Sequence, residues 1–581
     1  MYSVAVVVVA AVAVTAAGAG AVEQPRASVA GSVRFGALFA VHAAPAEARA
    51  GAACGRVREH YGIQRVEATL AALDAINADA ALLPRLRLGA ELRDSCWAPL
   101  PALRQAMHLV RDALATHDSR PRPSPSLACR EVPLVGVLGP GASSAAVQVQ
   151  NLLQLFSIPQ VSYSATSREL SDRSRFSTFF RVVPSDRHQA RLLVAVLRAH
   201  NWTYVHAVHT DESYGQSGMA AFRAEAARGG VCVAREEALR GAPHAREVDA
   251  ALARLRAPPH VCLCWCEGRT ARALLLGLAR AASPLRLVAS DGWADRRDVV
   301  AGVEEVARGA LTVRIRSPYL RHFDERYHAL RPRNNTRNPW FREFWEQKFN
   351  CSLYVQDRSL LVADGGLRQC CVGTGAESLS GPGYTQEPKL ALVVRGVYAL
   401  AHALHDMRTR LCGLAPPPGL CAAMLPFNVT LYRTHLANVR FRAPDGARVA
   451  FDHNGDPPAD LSDYDIMSLE RASEGGAWLY KRVGRWRRGT LRLRGGAAAA
   501  RERGAGVQAA CSAPCGPGQW PRAEERARCC WTCVLCAPLA VVRSPPARGC
   551  RLCPPGHRPD AARTGNYHLL QIRCLLIYIT A

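Results

Sequence analysis

From residue 32 onward the chain alternates short apolar or β-branched runs with helix-length patterns, and this alternation limits the fold more than any other feature. "VRFGALFAV" precedes a helical pattern through "IQRVEATLAALDAINAD"; "PLVGVLG" precedes another that ends near Phe156, and "PQVSYSA" follows. Repeated strand–helix–strand units build parallel sheets covered on both faces. The pattern restarts with "WTYVHAVHTD", "HVCLCWC" and "LRLVASDGW", separated by helical segments such as "RTARALLLGLARAA". Two clusters of this kind predict two α/β lobes, each a doubly wound sheet, with a cleft between them. Open α/β sheets bind ligands beyond the carboxyl ends of their strands. The turn "GPGASS", starting at Gly139, lies just there.

A glycine-rich turn running into a helix favours an anion, because the first N–H groups have no partners within the helix and the dipole attracts negative charge. The chemistry of "GPGASS" is not that of a nucleotide loop. No Gly-Lys-Ser/Thr follows, and Ser144 stands where a dinucleotide fingerprint has its third glycine. "YGQSGM" is one residue short of a nucleophile elbow, and no H-E-x-x-H pair occurs. No pairing of nucleophile and base is evident, so an enzyme is not expected. A carboxylate fits the turn.

The compartment is read from the cysteines and the N-terminus. Twenty-one cysteines and four sequons, at Asn201, Asn334, Asn350 and Asn428, suit an exported, disulfide-bonded glycoprotein. Residues 1–22 read as a signal peptide: an apolar run from Val4 is followed by small residues. No later run reaches the roughly 18 apolar residues of a membrane span. A formal charge of +25 raises the question of nucleic acid. The excess is almost entirely arginine scattered along the chain, so a nucleic-acid partner is not expected. The dense run from Arg485 to Gly506 reads as a solvated edge or linker, with contact to a heparin-like polyanion left open. Residues 511–565 are cysteine-rich with little periodicity, the mark of a small disulfide-stapled module. Cys530, Cys533 and Cys536 have metal-ligand spacing, but export argues against zinc or an iron–sulfur cluster, and no metal or other cofactor is expected.

Taken together, "CGRVREHYGIQRVEATLAALDAINAD", "LRDSCW", "VQVQNLLQLFSIPQVSYSATS", "RVVPSD", "NWTYVHAVHT", "SYGQSGMAAF", "CEGRT", "SDGWADR" and "RNPWF" resemble the ectodomain of metabotropic glutamate receptors, class C G-protein-coupled receptors, and most of all the group I members. The resemblance runs from about Ser32 to Gly565. It implies a bilobed Venus-flytrap of the periplasmic-binding-protein kind that closes on L-glutamate, acts as a homodimer, and passes its signal to a G protein through a membrane domain absent from this sequence. In domain terms this means a ligand-binding region over 32–495 (lobe 1 about 32–185 and 318–450, lobe 2 about 186–317 and 451–495), a linker over 496–510, an incomplete module over 511–565 and a tail unlike the family over 566–581. Where the family continues "TGC", this chain has Thr564 and Gly565 followed by Asn566. A soluble, secreted glutamate-binding or decoy form is therefore the alternative to a receptor ectodomain.

The resemblance also implies a ligand set. Ser143, with Ser164, Ala165 and Thr166 of the "SAT" turn, would hold the α-carboxylate and its surroundings. Asp186 and Asp291 would hold the α-ammonium, with Tyr214 packed over it. Arg65 and Lys389 would meet the distal carboxylate, and Tyr61, Glu267 and Arg296 would complete that end. Ala142 departs from the family's usual serine. On this reading Arg65→Ala weakens glutamate binding and leaves the fold intact. The same resemblance pairs Cys54 with Cys96, Cys264 with Cys266 and Cys412 with Cys421. It makes Cys129 an intersubunit cysteine and ties Cys232 to the module within Cys529 to Cys536.

Overall fold

The structure is a computed structural model that describes residues 25–45, 53–114, 132–353, 369–371, 377–381, 383–473, 476–504, 506–524, 529–542, 549–553 and 559–560. The signal segment, Cys129, Cys574 and the tail lie outside them. The chain divides into two compact units: unit 1 comprises residues 1–165, 176–182 and 317–451, and unit 2 comprises 166–175, 183–316 and 452–581. One division falls inside the "SAT" turn, with Ala165 in unit 1 and Thr166 in unit 2.

Unit 1 is built on β1 (Ala27–Val29), β2 (Val33–Phe39), β3 (Leu88–Asp94), β4 (Leu134–Leu138), β5 (Gln160–Ser162) and β6 (Phe179–Arg181), in the spatial order β1-β3-β2-β4-β5-β6. All neighbours are parallel except β1, which runs antiparallel to β3. β3 is buried along its whole length, as a strand covered on both faces must be. The helix Pro99–Leu114 shows how one covering layer forms. Ala102, Gln105, Ala106, Leu109 and Val110 recur at helical spacing and face inward, and proline at the first position needs no N–H partner. Its apolar stripe packs with Leu38, Val137, Val149 and Leu153 in one core cluster.

Unit 2 repeats the scheme with β7 (Tyr204–Thr210), β8 (Cys232–Leu239), β9 (Val261–Trp265), β10 (Arg286–Ala289) and β11 (Leu311–Ile315), all parallel. An antiparallel meander of β16 (Tyr464–Arg471), β17 (Trp478–Arg487) and β18 (Thr490–Leu493) extends the sheet, giving the order β18-β17-β16-β11-β10-β9-β7-β8. The Gly268–Ala281 helix buries Ala271, Leu274, Leu275 and Leu278 into a core with Cys262, Leu287 and Trp293. Short pairs complete the molecule: β12 (Cys351–Ser352) with β13 (Gln369–Cys370), and β14 (Arg440–Arg442) with β15 (Arg448–Ala450), in unit 1; β19 (Gln519–Ala523) with β20 (Trp531–Leu535), and β21 (Ala540–Val542) with β22 (Cys550–Leu552), in unit 2. The α/β class expected from the alternation is the class observed.

Eight disulfides join described cysteines. Cys54–Cys96, Cys351–Cys371 and Cys412–Cys421 lie in unit 1. Cys264–Cys266 and Cys232–Cys529 lie in unit 2 with Cys511–Cys530, Cys515–Cys533 and Cys536–Cys550. Cys530, Cys533 and Cys536 each belong to a different bond, so their spacing serves three crosslinks rather than one set of thiolate ligands. The segment just before the cysteine-rich stretch is also tied to the unit 2 sheet through its backbone: Thr203 and Tyr204 donate to the Ala509 carbonyl, and His260 donates to that of Gln508.

Candidate functional site

In unit 1 the opening turn is shaped by two close approaches. Gly139 has φ +84°, and a Cβ there would sit 2.5 Å from the Leu38 carbonyl oxygen. A Cβ at Gly141 would fall 2.8 Å from the Trp97 ring and 3.3 Å from Nη1 of Arg65. Glycine therefore lets this backbone lie directly against the Arg65 guanidinium. Ala142 caps the helix Ser143–Leu153 with an extended backbone, and the first intrahelical bond runs from Ala146 N–H to its carbonyl. At the end of β5, the Ser162 hydroxyl accepts from Ala165 N–H at 2.9 Å and folds the "SAT" turn. The Lys389 ammonium reaches Ser164 Oγ at 3.5 Å, the outer edge of a hydrogen bond.

Arg65 is wholly buried, and its Nη2 donates to Glu387 Oε1 at 2.7 Å. Its plane also lies over Tyr61 at 4.8 Å and Tyr163 at 4.9 Å. Burial alone would discharge both members of the ion pair, but their mutual attraction outweighs it: the Glu387 carboxyl is held below the usual carboxylate range and the guanidinium stays charged. Nε and Nη1 of Arg65 and Oε2 of Glu387 have no hydrogen-bond partner among the described residues. Tyr61 takes φ 45°, a left-handed backbone for a bulky residue, with the Arg58 guanidinium 4.1 Å from its ring centroid and Trp97 edge-on at 5.4 Å. The sequence reading treats Arg65 as a cation free for a ligand; the structure gives it an internal anion. Removing Arg65 would strip a buried carboxylate of its partner, so Arg65→Ala is expected to cost stability as well as any ligand contact.

In unit 2 the acidic residues converge. Asp186 opens the helix Asp186–Ala199, where a carboxylate suits the dipole, and its N–H donates to the Thr166 carbonyl. Gln189, one turn on, donates Nε2 to Asp186 Oδ1 at 3.2 Å and to Asp291 Oδ1 at 3.1 Å, while its Oε1 accepts from Asp291 N–H at 2.7 Å. The Tyr214 hydroxyl lies 2.7 Å from Asp291 Oδ1 and 2.8 Å from Ser290 Oγ. Burial, and then the charges of Asp291 and Asp186, push the Tyr214 phenol well above its ordinary value, so it stays neutral and can donate. Thr166 is buried, and its hydroxyl has no partner among the described residues.

Arg296 reaches this cluster through the backbone of Gly292, whose N–H donates to the Tyr214 hydroxyl. It chelates Asp298 at 3.1 and 2.5 Å, donates to the Gly292 carbonyl at 3.3 Å, and packs where a Cβ of Gly268 would go, 1.9 Å from its Nη1. Glu267 caps the following helix, and its N–H donates to Thr210 Oγ1. The structure thus groups Tyr61 and Arg65, pairs Ser164 with Lys389, and clusters Asp186, Tyr214 and Asp291. The residues missed from sequence are Glu387, Gln189, Ser290 and Tyr163. Gln189 had a signal, its position one turn beyond Asp186. Glu387 had a weaker one, since it stands in "EPKL" two residues before Lys389.

The four sequon asparagines are exposed. Among the described residues no helix is long and apolar enough to cross a membrane. Residues 64–471, well over half the chain, match the receptor family ligand binding region.

Proposed function

Because the chain belongs to the family of receptor ligand-binding regions, we propose that its ligand is L-glutamate and that it serves as the ectodomain of a metabotropic glutamate receptor, signalling by closure of the lobes in a dimer. The family's role is ligand binding rather than catalysis, and eight disulfides suit the extracellular side.

The observation that carries the reading is the Gln189 clamp, which holds Asp186 and Asp291 side by side and buried. Two adjacent carboxylates suit an ammonium, and each charge-assisted hydrogen bond to it contributes about 1.5–3 kcal/mol. On this reading the remaining residues that the resemblance implies, Ser143, Ser164, Ala165, Thr166, Lys389 and Arg65, would meet the carboxylates. An amino acid with a second carboxylate matches this set. Tyr214 and Ser290 orient Asp291 rather than neutralise it.

Titration calorimetry with L-glutamate tests the reading. Binding is expected, with L-glutamine weaker by about a hundredfold because it lacks the charge that Arg65 and Lys389 address. Asp291→Asn keeps the size and most of the hydrogen bonding of the side chain, and should weaken glutamate by at least about tenfold. Glutamine binding as tightly as glutamate would sink the proposed ligand. Unchanged affinity in Asp291→Asn would sink the ammonium site.

A further inference from the structure

The meander at the end of the unit 2 sheet carries charge that the ligand site does not use. β18 is its open edge, and along β17 and β18 side chains alternate between faces. Trp486, paired with Leu491, is buried on one face. Arg485 lies directly opposite Arg492 on the other, next to Arg487 opposite Thr490. Like charges facing each other across strands are destabilising. Here they line an open groove of about 920 Å³ in which seven of eleven lining residues are lysine or arginine and none is acidic.

Local carboxylates balance this charge only in part: Glu470 pairs with Lys481 at 3.2 Å, and two aspartates are each shared among several arginines. Asp465 is shared among Arg314 at 2.9 Å, Arg485 at 3.8 Å and Arg482 at 4.0 Å. Asp463 is shared between Arg487 at 3.0 Å and Arg316 at 3.3 Å. Arg488 and Arg492 are exposed and make no ion pair among the described residues.

We propose that this groove binds a sulfated polysaccharide. Guanidinium forks match tetrahedral and planar oxyanions through paired N–H bonds, which a row of arginines can repeat along an extended polyanion. The disulfides of unit 2 place the surface in an oxidising, extracellular setting where such chains occur. No aromatic side chain lines the groove as a stacking platform for single-stranded nucleic acid. Among the described residues that line the groove only Val483 and Leu493 are large and apolar, too few for insertion into a bilayer. The inference is independent of the glutamate reading.

The test measures heparin binding by the full purified chain across a salt series, beside an Arg488→Ala/Arg492→Ala double variant. Since the chain is basic throughout, a double variant at two exposed arginines elsewhere in unit 2, Arg246→Ala/Arg256→Ala, controls for charge alone. Heparin should bind at physiological salt. The groove variant should lose about tenfold in affinity and lower the salt slope by roughly 1.5, while the control changes less than about twofold. Chromatographic monodispersity and an unchanged melting temperature confirm that the groove variant is folded. Equal losses in the two double variants, no binding at physiological salt, or equal retention of a DNA oligonucleotide or phosphatidylserine vesicles at the same groove would each overturn the proposal.

Discussion

In unit 1 the central buried charge is a cation that already holds an anion, Arg65 on Glu387, both nearly free of solvent. In unit 2 two buried carboxylates, Asp186 and Asp291, are bridged by the neutral amide of Gln189, and Tyr214 donates to Asp291 alone of the two. The difference teaches how burial treats a charge that has an opposite partner and charges held by neutral groups. A ligand carboxylate approaching Arg65 competes with Glu387, so part of its attraction is cancelled by weakening an existing pair. Under the proposed function, a ligand ammonium would meet two carboxylates that Gln189 already orients. Arg296 sharpens the contrast: its partner Asp298 is two-thirds exposed, so that ion pair is screened and easily exchanged, whereas the Arg65 pair is not.

The largest expected effect comes from breaking the buried pair. Arg65→Ala should cost about 3–5 kcal/mol of folding stability, because Glu387 is left buried and uncompensated. The paired replacement Arg65→Met/Glu387→Leu should cost far less. Denaturant unfolding reads both, and equal losses in the single and paired variants would remove the distinction drawn for unit 1.

Next in size is the neutral scaffold of unit 2. Tyr214→Phe removes the hydroxyl that lies within hydrogen-bonding reach of Asp291 and Ser290 and should cost about 1–3 kcal/mol. Gln189→Ala should cost a similar amount and lower glutamate affinity as well. A loss in Tyr214→Phe as large as that in Arg65→Ala would mean that the two units do not differ in the way described.

A smaller effect is common to both units and depends on pH. His42 in unit 1 contacts Asp94 at 2.5 Å and Glu343 at 3.3 Å. His209 in unit 2 contacts Glu236 at 3.3 Å and the Thr210 carbonyl at 3.0 Å. Burial alone would lower both imidazoles, but these acceptors raise them above the ordinary value. With raised folded values, the stabilisation is full below about pH 6.5 and is lost as pH rises through the folded pKa. Glu236 behaves oppositely: chiefly through its His209 hydrogen bond it is held at about 2, so its contribution is present above the ordinary carboxylate range and disappears as pH falls toward that value. Unfolding free energy should therefore fall on the alkaline side of pH 6.5. His42→Gln and His209→Gln should each remove part of that slope, and an unchanged slope in both would exclude these pairs as its source.

The smallest effects are at the surface. Arg492→Thr relieves the cross-strand contact with Arg485 and should raise the stability of unit 2 by about 0.2–1 kcal/mol. Asp74→Asn in unit 1 loses surface pairs to Arg326 and Arg337 and should cost less than about 1 kcal/mol. Thermal unfolding of the two variants checks that the signs are opposite.

The α/β class was legible because a strand or helix is encoded by spacing within about ten residues, and the core faces of Pro99–Leu114 and Gly268–Ala281 follow directly from it. The glycines of the opening turn marked a turn into a helix, but the close approaches that require them, to Leu38 and Trp97, were not legible. Site residues were named through resemblance to a family rather than through local pattern, since one tyrosine, one arginine or one aspartate carries little information alone. Which charges meet was not legible. Glu387 reaches Arg65 across 322 residues and Asp291 reaches Gln189 across 102, and nothing in the spacing of either pair distinguishes them from the many other acids and amides of the chain.

The sequence by itself determined the alternating elements, the oxidised cysteine framework as a class, and the surplus of arginine. Tertiary structure alone decided that Arg65 is neutralised within its own unit, that Asp186 and Asp291 share one amide, and that Arg485 and Arg492 face each other on an exposed edge. The reason is physical. Periodicity and turn chemistry act between near neighbours, whereas the fate of a charge depends on its solvent exposure and on what lies within a few ångströms of it, and only the packed chain fixes both.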